Sequence, residues 1–266
     1  MSTQTNNAYS IQKVADNLKR LGLPPDWDER TNRLLASIYR ELVKGTPVNA
    51  ATVDSLAAAS GLDHEAGKEF VDGVSEKDEA GNVVGAVGLS RNEHSHKFEV
   101  DGVGLTTWCA WDTLFIAQAL GKTANVTSYA PDSGSEVTLE ISPTGVVANP
   151  VRAVVSVVML DPSQIDMESL ESVYMVFCHQ IHFFPSREDA ELWSAESESD
   201  FAILSVDDAF EVGSIAFADL IEVASRDRST SESTQSSRRN SEAQLDMCSG
   251  RTETGYRGVR KREATE

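Results

Sequence analysis

Apolar residues recur at helical spacing through the opening stretch of the chain. In residues 9–22, Ile11, Val14, Leu18 and Leu21 fall on one helical face, and Pro24-Pro25 ends the element. A second helix is expected from about Asp26, as N-cap, to Lys44, with Leu34, Leu35, Ile38, Leu42 and Val43 on its apolar face. Two short helices, 50–59 and 64–73, follow on either side of Ser60-Gly61. The run DEAGNVVGAVGL then places a Gly81-Asn82 turn before alternating apolar residues, the pattern of a hairpin. Helices followed by a hairpin suggest a small winged-helix-like domain ending near Val100.

In GLTTWCAWDTLFIAQALG, residues 104–121, apolar side chains ring most of the circumference. That pattern predicts a buried helix, N-capped at Thr106 or Thr107 and stopped at Gly121. Beyond it, ANVTSY and EVTLEIS alternate as strands around a turn at Pro131–Gly134, and RAVVSVVML (152–160) reads as a buried strand. SVYMVFCHQIHFF (172–184) reads as a further apolar strand stopped by Pro185. A helix over 187–194, a strand over 201–206 and a final helix over 207–223 complete the body. From Ser225 the chain is rich in Ser, Thr, Arg and Glu, a composition that predicts disorder. The expected fold is α+β, or mixed α/β. A winged-helix-like domain (1–100) precedes a mixed-sheet domain (101–224) and a low-complexity tail (225–266).

Charge changes this picture more than length does. The net charge of −19 is uneven: residues 225–266 hold nine Lys/Arg against seven Asp/Glu, leaving 14 against 35 in residues 1–224, a net of −21. Phosphate backbones are repelled by such a body, and the second short helix, DHEAGKEFVDGV, carries four acidic residues against one Lys. Nucleic acid is therefore not an expected partner, and a winged-helix regulator is disfavoured. An acidic, Lys-poor surface suits a high-salt, halophilic cytoplasm, or else a basic partner. No apolar run reaches the roughly 20 residues of a membrane span, and the N-terminus lacks signal-peptide features. Three widely spaced cysteines argue for reduced thiols, so the expected location is cytoplasmic.

Within the 104–121 helix, Cys109 and Asp112 are one turn apart and share a face. A cysteine in a first helical turn tends toward thiolate, and a carboxyl among apolar residues is costly unless paired or protonated. Two readings remain open: a nucleophile beside a proton donor, or a small buried thiol beside an Asp that caps a loop. Cys178 sits in VFCHQIHFF. On a regular strand it would share a face with Gln180 and His182, with His179 opposite, and Cys178 and His182 would lie roughly 13 Å apart. Without a bend they do not ligate one ion, and a buried core thiol is the simpler reading. Spacing does not bring Cys109 and Cys178 together. His94 and His96 form an H-x-H pair compatible with a metal on a strand, a weak signal. Cys248, in the tail, has no supporting context.

The motifs taken together are more specific. LTTWCAWDTLF (105–115), ALGKTANVTSY (119–129) and FCHQIHFF (177–184) resemble the organomercurial, or alkylmercury, lyase family. RELVKGTPVNAATV (40–53), EAGNVVGAVGL (79–89) and AILSVDDAF (202–210) add to the likeness, in the same order, over residues 30–217. The resemblance implies protonolysis of a carbon–mercury bond to a hydrocarbon and Hg(II). It implies Cys109 and Cys178 as the mercury-binding thiols and Asp112 as the catalytic acid and further ligand. It implies no organic cofactor, external thiols that remove the product, and a mercuric reductase accepting Hg(II) from a monomeric enzyme. Trp111 stands where a smaller aliphatic residue is common in the family, which suggests a reshaped substrate pocket. The competing expectation is a thiol-based protein that binds or senses a soft metal without cleaving anything.

Overall fold

The computed structural model describes residues 10–230; Cys248 and the tail beyond Thr230 lie outside the described residues. Of the described residues, 10–225 form one compact unit, and 226–230 belong to a second. Four helices open the chain: α1 (Ile11–Leu21), α2 (Glu29–Leu42), α3 (Ala50–Ser60) and α4 (His64–Val74). Each starts at a short polar side chain, Ser10, Asp28, Asn49 and Asp63, that accepts a hydrogen bond from an amide in the first turn. The second helix is capped by Asp28 rather than Asp26. The Asp28 carboxylate accepts from the Thr31 amide and from Arg30, which hold its pKa down to about 2. The faces carrying Val14 and Leu18, and Leu34, Leu35, Ile38 and Leu42, are fully buried.

The hairpin at Gly81-Asn82 forms as β1 (Ser75–Lys77) and β2 (Val83–Ala86). It belongs to a larger sheet with β3 (Leu89–Ser90), β4 (His96–Val100), β5 (Val103–Thr107), β6 (Ala124–Tyr129), β7 (Glu136–Ser142) and β8 (Gly145–Asn149), in the order β1-β2-β3-β5-β4-β6-β7-β8. A second sheet orders β10 (Phe183–Phe184), β9 (Val154–Val158) and β11 (Phe201–Ser205). All of these pairings are antiparallel, which corrects the expected mixed sheet. Tight turns join several of the large sheet's strands, whereas parallel pairing needs long crossovers.

Helix α5 (Ala110–Leu120) is buried along its whole length and packs against strands of both sheets and against α2. α6 (Leu170–Ser172) is a single turn, followed later by α7 (Arg187–Ser194) and α8 (Val206–Ala216), which also packs on α5. The final helix breaks at Phe217 and resumes over 218–225; residues 226–230 are helical too, so the predicted disorder does not begin at Ser225. No described helix is long and apolar enough to cross a membrane.

Two expected elements need correction. Thr106 and Thr107 end β5 instead of capping a helix, because both pair with β4 and β3. The cap is Cys109 itself, with extended backbone, while the stop at Gly121 stands, its φ of 64° placing it in the left-handed region. The apolar run 172–184 is not a strand. It forms α6, a π-turn over Val173–Phe177 and a 3-10 turn over Cys178–Gln180, leaving only Phe183–Phe184 to pair with β9. Apolar runs of this length suit buried strands and helical turns alike, and periodicity does not separate the two.

Candidate active site

Cys109 lies where β5 hands the chain to α5. Its amide donates to Asp112 Oδ2 at 2.9 Å, and Thr107 Oγ1 donates to its carbonyl at 2.9 Å. As N-cap and N3 residues, Cys109 and Asp112 turn toward each other across the first turn. Opposite the carboxyl is the sharp turn between β2 and β3, where Val87 and Gly88 both have positive φ. A Cβ at Gly88 would stand 2.5 Å from Asp112 Cγ, so only glycine lets the backbone approach this closely. The turn is pinned by the Trp108 amide, which donates to the Gly88 carbonyl at 2.9 Å, and by the buried Tyr39 hydroxyl, which donates to the Val87 carbonyl at 2.6 Å.

Cys178 reaches the same place from the other side. The 3-10 turn it opens is closed by the Ile181 amide donating to the Cys178 carbonyl at 3.1 Å. The Ile181 carbonyl then accepts from the Ala110 amide at 3.2 Å, tying this turn to the start of α5. Buried Ser156 on β9 braces the exit: its hydroxyl donates to the Gln180 carbonyl at 3.1 Å and accepts from the His182 amide at 3.0 Å. The ligand atoms of Cys109, Asp112 and Cys178 consequently lie within 4.8 Å of one another, and all three residues are buried. Among the described residues this is the one such group of three close enough to grip a single ion.

Burial sets the electrostatics. It raises the Asp112 carboxyl to about 6, against hydrogen bonds from the Cys109 side chain and amide that favour the carboxylate. Burial also pushes the Cys109 thiol well up, and its hydrogen bond to Cys178 and the Asp112 charge add to the shift. That reverses the expected helix-end activation, since desolvation outweighs the dipole. For Cys178 the hydrogen bond from Cys109 favours the thiolate, yet burial and Asp112 leave its pKa raised. The resting site therefore favours two thiols and a carboxyl group that holds a proton more readily than a free one. Two soft sulfurs beside a proton carrier match a soft metal bonded to a group that leaves with a proton.

The remaining candidates sort differently. His94 and His96 do not converge: His94 Nε2 meets Glu76 at 3.0 Å, whereas buried His96 meets Ser128 Oγ at 2.8 Å. His179 and His182 lie with rings 6.4 Å apart, outside the Cys–Asp–Cys group. With the strand gone, the expected sharing of a face by Cys178, Gln180 and His182 goes too. Trp111 donates from Nε1 to the Ala209 carbonyl at 3.2 Å and packs on Phe115, Phe177 and Phe217; it is a core residue. Tyr39, Ser156 and Glu76 carried no motif, because each acts through a contact distant in sequence. Gly88 lies inside the family-like run EAGNVVGAVGL (79–89), but its approach to Asp112 is set by a contact that the run does not contain.

The family model described as alkylmercury lyase matches residues 89–218. An alkylmercury lyase of Pseudomonas putida is 33% identical over 216 residues, 81% of this chain and 95% of the relative. One from Staphylococcus epidermidis is 36% identical over 183 residues, 68% of this chain and 79% of its own. One from Streptomyces lividans is 36% identical over 175 residues, covering 65% and 76%. Among solved structures, the mercury-bound form of MerB2 has the same fold, with a TM-score of 0.61 at 20% identity over 79% of this chain and 99% of that one. With a third of its positions shared over nearly the full length of such a relative, the chain belongs to the alkylmercury lyase family.

Proposed function

We propose that Cys109, Asp112 and Cys178 carry the protonolysis of a carbon–mercury bond in this enzyme. The observation that carries the assignment is the convergence of the three buried ligand atoms within 4.8 Å. An organomercurial arrives as a thiolate adduct, R–Hg–SR′. One protein thiol exchanges for R′S⁻, which leaves with that thiol's proton. The second thiol binds mercury and passes its proton to the Asp112 carboxylate. Two thiolates raise the electron density on mercury and weaken its bond to carbon. The Asp112 proton then goes to carbon as that bond breaks, the bonding pair stays with carbon, and R–H departs. Mercury remains divalent throughout, held by two thiolates and the Asp112 carboxylate until two external thiols take it and return protons to the cysteines. No organic cofactor enters the cycle.

The wider reading is of a monomeric, cytoplasmic enzyme of mercury detoxification that passes Hg(II) through cytosolic thiols to a mercuric reductase. Helices α1–α4 with the β1–β2 hairpin are read as a winged-helix-like part (1–100) that shields the catalytic part (101–224) from water, before a tail over 225–266. Exposed carboxylates on α4 support docking rather than DNA binding by this part. The acidic surface of residues 1–224 supports a halophilic source.

A metal-sequestering protein would need the two thiols and not the acid, so Asp112 separates the alternatives. Asp112→Asn is expected to retain mercury but to slow hydrocarbon release about a hundredfold or more. Cys109→Ser and Cys178→Ser are expected to abolish turnover, because a hydroxyl is a poor mercury ligand. Turnover surviving either serine change removes the two-thiol mechanism, and an unaltered rate in Asp112→Asn takes the proton from that residue.

A further inference from the structure

Outside the three reacting groups, one partly buried carboxylate gathers more donors than any other side chain near the site. Glu76, on β1, accepts from four side chains. Ser90 Oγ and Asn92 Nδ2 each reach Oε2 at 2.6 Å. His94 Nε2 reaches Oε1 at 3.0 Å, and Trp108 Nε1 donates to the same oxygen. A carboxylate is acceptor-only, so it fixes the His94 proton on Nε2 and leaves Nδ1 to face the Tyr174 hydroxyl at 3.4 Å, the two rings meeting edge-on at 5.6 Å.

These partners lead to the two cysteines by separate routes. Trp108 is the residue before Cys109. Tyr174 lies one turn before Cys178, whose amide donates to the Tyr174 carbonyl. The Tyr174 hydroxyl is also within electrostatic reach of the site, its pKa raised by burial and by the charges of Cys178, Glu76 and Cys109.

We propose that Glu76 is a positioning residue for the reaction. It holds the Cys109 segment through Trp108 and the Cys178 segment through His94 and Tyr174, so that the two thiols stay at the separation one mercury atom bridges. The four side chains that Glu76 accepts from include none of the three reacting groups. Its two arms set a sulfur–sulfur distance that neither β5–α5 nor the π-turn sets alone. The inference rests on Cys109 and Cys178 acting together.

Glu76→Gln is the discriminating change. The amide has the same shape but one oxygen, and its NH2 cannot accept from Trp108 and His94 together or from Ser90 and Asn92 together. The purified full-length variant is compared with the parent for phenylmercury turnover, melting midpoint, and retention of Hg(II) against competing dithiothreitol, followed by the ultraviolet absorption of the mercury–thiolate pair. Outer partners of metal ligands typically change affinity or activity by about 10- to 100-fold. The expected result is a loss of kcat and of Hg(II) retention in that range, with KM within about twofold and the melting midpoint nearly kept. Tyr174→Phe, which cuts only the Cys178 arm, is expected to show a smaller loss of the same kind, and it serves alone if Glu76→Gln fails to fold. Glu99→Gln, an exposed charge removal on β4, is expected to change nothing. Unchanged kcat and mercury retention in the folded hub variants overturn the proposal, as does a loss no larger than the unfolded fraction. Turnover that survives in Cys109→Ser refutes the two-thiol reading instead, a different outcome.

Discussion

Asp112 ties the proposed chemistry to stability. Its folded pKa of about 6 lies above the 3.8 of a free carboxyl because the site is dry. The folded protein thus holds this proton more tightly than the unfolded chain does. The contribution is fully present below about pH 4 and is lost as pH rises through 6, a swing of about 3 kcal/mol. Denaturant titrations at pH 4.5 and 7.5 are expected to show this loss in the parent and not in Asp112→Asn, whose amide still accepts from the Cys109 N–H. A pH dependence identical in both proteins contradicts the assignment. Cys109 and Asp112 were legible at this scale from their spacing in an apolar helix. The direction of the Cys109 shift was not, since a sequence displays the helix end but not the burial that outweighs it.

At the scale of elements, the site depends on two turns that hydrophobic patterning did not resolve. The β2–β3 turn needs Gly88, where a methyl group would meet Asp112 Cγ at 2.5 Å in a backbone conformation already at φ +89°. Gly88→Ala is expected to destabilise the protein by at least about 1–3 kcal/mol and to lower turnover in whatever folds. The turn carrying Cys178 depends on Ser156, a buried hydroxyl that satisfies one amide and one carbonyl in a partly buried segment. Ser156→Ala leaves both unpaired and is expected to cost about 1–3 kcal/mol, read as a drop in melting midpoint together with weaker mercury retention. Normal retention in a destabilised variant would detach Ser156 from the positioning of Cys178. Helices α1–α4 were legible from their polar caps and apolar spacing, β6 and β7 from unbroken alternation, and β9 and β11 from short apolar runs. The 172–184 run was misread because its register is set by Ser156 and β9, partners that periodicity does not contain. The short strands β3, β5 and β8 were missed for a related reason: they owe their form to neighbours in the sheet.

For the whole molecule, charge is the dominant feature. Residues 1–224 carry a net −21, and mutual repulsion among those carboxylates weakens as salt rises. Stability is expected to increase from low salt to molar salt, measured as the melting midpoint in sodium or potassium chloride; a midpoint that stays flat or falls removes the halophilic reading. The site and every element that builds it lie within residues 10–225, so deleting residues 231–266 is expected to leave turnover unchanged.

The most direct test of the central claim follows the hydrocarbon itself. Reduced protein is incubated without oxygen with phenylmercury and excess thiol, and benzene is measured by gas chromatography. Benzene released over many turnovers, and lost in Cys109→Ser, Cys178→Ser and Asp112→Asn, is the predicted result. Tight mercury uptake with no benzene would contradict it and make the buried Cys–Asp–Cys group a site of sequestration.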